Sequence, residues 1–129
     1  MRFFVGIDPS ITNTGVVVLD EAGGFVSAYN SSVVKKRKGV SDIELYRERT
    51  DGIIAFLRDF TKGDNEISAI SYEGYSFGSV HRGQSLAEFG GILKFRILEE
   101  FGLRCQLPVP TEVKKFATSK GNALKERVM

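Results

Sequence analysis

The chain has 129 residues, of which 42% are apolar and 26% charged, and its formal net charge at pH 7 is +2. This balance suits one globular domain with a single core, and so small a net charge does not by itself indicate a nucleic-acid-binding protein. No apolar run approaches the roughly 18 residues that span a bilayer, and the amino terminus does not resemble a signal peptide. The single cysteine excludes an intrachain disulfide, which fits a reducing cytoplasmic setting. We therefore expect a cytoplasmic protein, and the lack of a long apolar run predicts no membrane association.

Three strands are predicted in the amino-terminal third of the chain. Residues 3–8 and 15–19 are rich in β-branched and aromatic residues, and a Pro-Ser-containing turn separates them. A Gly-Gly turn then leads to a third strand over residues 25–34. Consecutive strands joined by short turns predict an antiparallel meander.

Helices and strands alternate in the rest of the chain. Apolar residues recur at helical spacing over residues 41–60, with Ser41 or Asp42 as the cap. A strand over residues 67–72 follows, and then a second helix that ends at Gly102. This helix contains Gly90 and Gly91, and because glycine is unfavourable in helices we expect another backbone to approach them closely.

A fifth strand is predicted over residues 103–109, followed by helices over residues 111–116 and from residue 122 onward. The element order predicts an α/β fold whose mixed five-stranded sheet has three antiparallel strands followed by parallel ones. Helices are expected on both faces of this sheet. All of it fits a single domain spanning residues 1–129.

Two strands end in acidic residues, Asp8 and Glu73. Alternation of side chains places each acid on the same strand face as a small residue two positions earlier, Gly6 or Ser71. If the two strands are parallel neighbours, the acids meet at the carboxyl edge of the sheet, where open α/β sheets bind ligands. Two close carboxylates repel unless a cation lies between them, and oxygen ligands favour Mg²⁺ or Mn²⁺. Two solvated strand ends are the alternative.

Basic residues fall into two clusters. One is the run at residues 35–38, and the other begins at Lys114 and continues to Arg127. Each cluster alone is consistent with a solvated surface. Together, on either side of an acidic site, they favour contacts with a phosphate backbone.

Three segments together resemble the RuvC-type Holliday junction resolvases. They are residues 6–15, with Gly-Ile-Asp-Pro-Ser and Asn-Thr-Gly, residues 69–73, with Ala-Ile-Ser-Tyr-Glu, and residues 120–125, with Lys-Gly-Asn-Ala-Leu-Lys. The similarity is strongest to the phage-encoded or short members of this family, which belong to the RNase H-like superfamily. It spans nearly the whole chain in the same order and spacing.

The resemblance implies an RNase H-like fold and a homodimer that nicks two opposed strands of a four-way DNA junction by Mg²⁺-dependent hydrolysis. Asp8 and Glu73 would be two of four catalytic, metal-binding acids, and Mn²⁺ would substitute for Mg²⁺. A loop aromatic, Phe77, would stack on an unpaired base, although a residue that anchors its loop on the core would fit the same position. The implied DNA contacts are Phe77, Arg82, Lys114, Lys115, Lys120 and Lys125.

The chain departs from the family pattern at its carboxyl end. The two remaining acids of the family lie in a C-terminal helix, and no acid before Met129 fits those positions. We therefore expect this chain to lack the last catalytic helix, and to cleave DNA weakly or not at all.

Other functions remain open from the sequence. One is a non-catalytic module that binds branched or single-stranded DNA, and another is a relative that acts on structured RNA. A third is a fragment of an actin-like ATPase or sugar kinase, although Pro9-Ser10 replaces the glycine that lets such a turn approach a phosphate. For the nuclease, the expected location is the cytoplasm of a bacterium or of a phage-infected host cell.

Overall fold

A computed structural model describes residues 1–73 and 80–106. In chain order, its elements are β1 (Arg2–Asp8), β2 (Gly15–Leu19), β3 (Phe25–Asn30), a 3₁₀ turn (Ser31–Val33), α1 (Asp42–Arg58), β4 (Glu66–Tyr72), α2 (Val80–Phe101) and β5 (Cys105–Gln106). Neither helix in the described ranges is long and apolar enough to cross a membrane.

The five strands form one mixed sheet in the order β3-β2-β1-β4-β5. The first three strands pair in antiparallel fashion, whereas β4 is parallel to both β1 and β5. This arrangement confirms the predicted sheet. Because β1, β3 and β4 run in the same direction, their carboxyl ends share one edge of the sheet, which we call the carboxyl edge.

The core lies between one face of the sheet and both helices. Phe3, Val5 and Ile7 alternate with more exposed residues along β1, as the period of a strand requires. Their helical partners in the same cluster are Tyr46, Ile53, Ile54 and Leu57 of α1, and Phe89, Leu93 and Ile97 of α2. Both described helices thus cover one face, and the two helices predicted after residue 110 lie outside the described residues.

Helix α1 begins and packs as its sequence predicts. Ser41 is the cap, and its hydroxyl accepts a hydrogen bond from the backbone N–H of Glu44 at 3.2 Å. The buried ring of Tyr46 meets Phe89 edge to face, with ring centroids 5.6 Å apart, and this contact joins the two helices. Gly102, with φ of +67°, ends α2 as predicted.

One local expectation, the end of the third strand, is wrong. The third strand ends at Asn30 and not at residue 34, because the Asn30 side chain accepts a hydrogen bond from the Ser32 N–H at 2.8 Å and starts a 3₁₀ turn. Among the described residues, Gly91 has no close neighbour, since a methyl group built on it would meet nothing within 4 Å there, whereas Gly90 is buried. A close approach that was not predicted occurs at Gly52 of α1, where such a methyl would lie 3.2 Å from Cζ of the Tyr29 side chain and overlap its hydroxyl.

The described part of β5 is short. Cys105 lies opposite Ile70 and is partly buried against the core, which raises the pKa of its thiol to about 11. A thiol in this environment stays protonated near neutral pH and packs as a small apolar residue. The rest of the predicted fifth strand and the two helices predicted after it lie outside the described residues.

Candidate metal and DNA-binding site

The two acids of the predicted site occupy adjacent positions at the carboxyl edge. In the parallel pair of β1 and β4, Gly6 lies opposite Ser71 and Ile7 opposite Tyr72. The backbone N–H of Glu73 then donates to the Ile7 carbonyl at 2.9 Å, so the pairing continues to the residue after β4. This register places Asp8 beside Glu73, on the face of the sheet that points away from both described helices. Both residues are exposed.

The surface around the acids is built from residues with little or no side chain. Gly6 precedes Asp8 on its face, and Gly15 is the antiparallel partner of Asp8 on β2. Within residues 1–73 and 80–106, a methyl group built on either glycine would meet nothing within 4 Å. None of these residues therefore crowds the sheet surface beside the acids. The sequence indicated the small residue at position 6, but the role of Gly15 depends on cross-strand register.

The turn after Asp8 is fixed by hydrogen bonds to its own residues. The Ser10 N–H donates to Thr14 Oγ1 at 3.1 Å, and the Thr14 hydroxyl donates to the Ser10 carbonyl. Thr14 is fully buried, and its N–H donates to Ser31 Oγ at 2.9 Å. The turn is thereby tied to the end of β3, which limits the movement of the backbone that carries Asp8.

A buried arginine also holds this turn. Arg49 of α1 is only 5% exposed, and its Nη1 donates to the Ile11 carbonyl at 2.7 Å. Its Nε makes a longer bond, 3.4 Å, to the Val34 carbonyl. Within residues 1–73 and 80–106, no carboxylate forms an ion pair with Arg49, so backbone carbonyls satisfy its buried charge. Sequence reasoning missed Arg49, although its position three residues after Tyr46 and four before Ile53 lies on the apolar stripe of the helix.

The described residues supply part of a divalent metal site. Two carboxylates that share an open edge are suitable ligands for a hard cation such as Mg²⁺. No group of three or more His, Cys, Asp or Glu residues that could hold a metal occurs in the described ranges. The residues therefore fit such an ion as two of its ligands, and the expectation that two further acids are needed stays a prediction.

Most of the predicted DNA contacts cannot be placed. Arg82 belongs to the first turn of α2, which follows β4 and so begins near the carboxyl edge, but its side chain is outside the described set. The other predicted contacts lie outside the described residues: Phe77, Lys114, Lys115, Lys120 and Lys125.

Comparison with known proteins agrees with this architecture. Residues 4–129 match the family model of the crossover junction endodeoxyribonuclease RuvC. The RuvC of Sulfurovum sp. (strain NBC37-1) is 33% identical over 125 residues, which are 96% of this chain and 74% of that protein. The RuvC of Aliarcobacter butzleri (strain RM4018) is 28% identical over 126 residues, which are 96% of this chain and 77% of that protein.

The fold is also that of solved RuvC structures. Thermus thermophilus RuvC in complex with a Holliday junction substrate aligns with 93% of this chain and 72% of its own length, with a TM-score of 0.72 and 18% identity. A second structure of Thermus thermophilus RuvC aligns with a TM-score of 0.59 and 21% identity over 92% of this chain and 69% of its own. The sheet is thus of the RNase H-like type that the resemblance implied, and the chain belongs to the crossover junction endodeoxyribonuclease RuvC family.

Proposed function

We propose that this chain is a structure-specific endonuclease that cuts four-way DNA junctions by hydrolysing phosphodiester bonds with the help of a divalent metal ion. The observation that carries the proposal is the register of β1 and β4, which brings Asp8 and Glu73 side by side next to the small residues Gly6 and Ser71. The family assignment supports the same activity. The proposed location of this activity is the cytoplasm of a bacterial or phage-infected cell, where the DNA substrate would be found.

Asp8 and Glu73 are the proposed catalytic acids, and their role is to hold and orient Mg²⁺, for which Mn²⁺ substitutes. When bound, the ion supplies a Lewis acid that neutralises phosphate charge and lowers the pKa of water. Gly6 and Gly15 carry no side chains that would obstruct the approach of the sugar–phosphate backbone to the acids. The tied turn at residues 9–14 keeps Asp8 in place, so the site needs little reorganisation when DNA arrives.

The proposed DNA contacts are those that the family resemblance implies. Phe77 follows β4 within six residues and is proposed to stack on a base at the junction centre. The remaining proposed contacts bind phosphates: Arg82, Lys114, Lys115, Lys120 and Lys125. Two further metal-binding acids belong to the proposal, as the family resemblance implies.

The proposed partner in solution is a second copy of the chain. A four-way junction is resolved by two symmetric cuts, and a two-fold dimer supplies two equivalent sites. The structure has an apolar groove between the start of α1 and the outer side of α2, lined by Ile43, Ala87, Glu88, Gly91, Ile92 and Phe95. Ile43 and Phe95 are 59% and 62% exposed, and because they line the same groove they form a continuous apolar patch, as protein–protein contacts do.

A nicking assay tests the proposed activity. A labelled four-way junction and a linear duplex of the same sequence are incubated with Mg²⁺ or Mn²⁺ and two protein forms. One form is this chain, and the other is extended by the C-terminal segment of a longer relative. We expect the extended form to cut the junction and spare the duplex, and we expect little cutting by the chain itself.

The outcomes separate the competing functions. If neither form cuts and junction binding persists, the non-catalytic DNA-binding module replaces the nuclease. Preference for a folded RNA over the junction would favour the RNA-directed relative. Hydrolysis of ATP without cleavage of nucleic acid would support the actin-like ATPase or sugar kinase instead. Neither the binding-module nor the ATPase alternative has support comparable to the family match.

A further inference from the structure

The basic segment, residues 35–38 (Lys35, Lys36, Arg37 and Lys38), leaves the sheet at the edge that carries the acids. Asn30 at the end of β3 lies opposite Gly15, and Gly15 lies opposite Asp8. A single 3₁₀ turn separates Asn30 from this segment. The basic segment thus begins at the carboxyl edge that carries the acids, although 34 residues lie between Lys38 and Glu73 in the chain.

Three of the four basic charges in this segment have no acidic partner in the described structure. Arg37 is paired with Glu48 of α1, with 2.9 Å from Nη1 to Oε2 and 2.5 Å from Nη2 to Oε1. This contact lowers the pKa of the Glu48 carboxyl and raises that of the guanidinium. Lys35, Lys36 and Lys38 are exposed, and none of them takes part in an ion pair within the described ranges.

The basic segment is anchored at both ends. At its start, the Val34 N–H donates to the Ser31 carbonyl at 3.0 Å, and the Val34 carbonyl accepts from Arg49. At its end, the Val40 N–H donates to the Arg37 carbonyl at 3.3 Å. Arg49 also holds the turn that follows Asp8, so one buried side chain connects the acid-bearing turn to the basic segment.

We propose that Lys35, Lys36 and Lys38 bind backbone phosphates of the DNA arm next to the strand held by Asp8 and Glu73. The proposal rests on the proposed function, and it adds a phosphate-binding surface to the contacts that the family resemblance implies. Lysines on an anchored segment neutralise phosphates without reading bases. The contacts should therefore raise affinity and its dependence on salt for every DNA sequence equally.

The salt dependence of junction binding tests this surface. Fluorescence anisotropy measures the affinity of the full chain for a labelled four-way junction, without divalent metal, over a series of salt concentrations. Each of Lys35→Gln, Lys36→Gln and Lys38→Gln should reduce the slope of log affinity against log salt by about 0.9, and the triple variant by about 2.7.

Lys62→Gln is the matched control, because it removes one exposed lysine at the opposite edge of the sheet. Lys62 pairs with Asp59 at 2.9 Å and lies in the turn that precedes β4. The Lys62→Gln variant should keep the wild-type slope of log affinity against log salt. Thermal unfolding should be the same for all five variants and the wild type, since these side chains are exposed.

Three results would count against the inference, and they are distinguishable. A wild-type slope in the triple variant would overturn it while leaving the nuclease proposal intact. A reduction for Lys62→Gln equal to that for each single variant would also overturn it, because the effect would then be one of net charge. Failure of the wild-type chain to bind the junction at low salt would remove both this inference and the proposed function.

Discussion

At the residue scale, the site depends as much on missing side chains as on the acids. Alternation along two strands was sufficient to predict that Asp8 and Glu73 share a face, and the register confirms that they are neighbours. Alternation alone could not identify Gly15, because which residue lies opposite Asp8 depends on the register between β1 and β2. Arg49 was missed for a related reason. A charged residue among the apolar positions of a helix is expected to weaken its packing, and its structural role becomes visible only when the carbonyl groups that it binds are known.

A larger side chain at Gly6, beside Asp8, should reduce cleavage without harming the fold. Gly6→Val places a β-branched side chain where no described residue lies within 4 Å of the new methyl position. We expect stability to stay the same or rise by about 0.5–1 kcal/mol, because glycine is unfavourable in strands. Junction nicking by the extended form should fall at least tenfold, as the side chain blocks the approach to the acids.

Ala28→Val is the control for this substitution. Ala28 is exposed and lies in the same cross-strand row as Gly6, two strands away on β3. Nicking rates and thermal unfolding are measured for both variants. Wild-type nicking by Gly6→Val would show that the space above Gly6 is not used by metal or DNA.

At the scale of elements, α1 contacts β3 closely at a glycine that the sequence did not single out. Gly52 lies against Tyr29, whose ring stacks on Phe56 with centroids 5.4 Å apart. Glycine pairs such as Gly90-Gly91 are visible in a sequence, but whether a backbone approaches them depends on how the helix is rotated toward the sheet. The strand order and the helix positions, by contrast, follow from periodicity and capping.

Two glycine-to-alanine substitutions should therefore have opposite effects on the free energy of unfolding. Gly91→Ala should stabilise the chain by about 1 kcal/mol, because alanine is the better helix former and space is available. Gly52→Ala should destabilise it by about 1–3 kcal/mol, since its methyl group displaces the Tyr29 ring. Denaturant unfolding at low protein concentration measures both values.

Tyr29→Phe provides the internal check on Gly52. It removes the hydroxyl that overlaps the new methyl group, so it should recover part of the loss when combined with Gly52→Ala. Equal stabilisation by Gly52→Ala and Gly91→Ala would mean that β3 and α1 are not in close contact at this point.

At the scale of the whole molecule, the sequence predicted the mixed sheet but not which surface remains for a partner. The exposed apolar residues on the helical side include Ile43, Phe95 and Leu98, with Leu98 46% exposed. Their exposure follows from how the two helices pack side by side on one face of the sheet. This surface is the proposed contact between two copies of the chain.

Phe95→Glu should convert the proposed dimer into a monomer, because a charge would be buried at the contact. Phe25→Glu is the control, since Phe25 is 49% exposed but lies on the edge strand β3. Sedimentation velocity measures the mass of both variants. A dimer of unchanged affinity in Phe95→Glu, with a folded spectrum, would move the contact elsewhere or remove it.

Binding of Mn²⁺ to the isotope-labelled chain, followed by broadening of amide resonances, tests the central claim most directly because it requires no cleavage. The paramagnetic ion should broaden Gly6, Gly15 and Ser71, which surround the acids, before it affects Gly63 at the opposite edge of the sheet. The double variant Asp8→Asn, Glu73→Gln should lose this pattern while remaining folded. Broadening that persists in the double variant, or that is equally strong at Gly63, would contradict a metal site formed by Asp8 and Glu73.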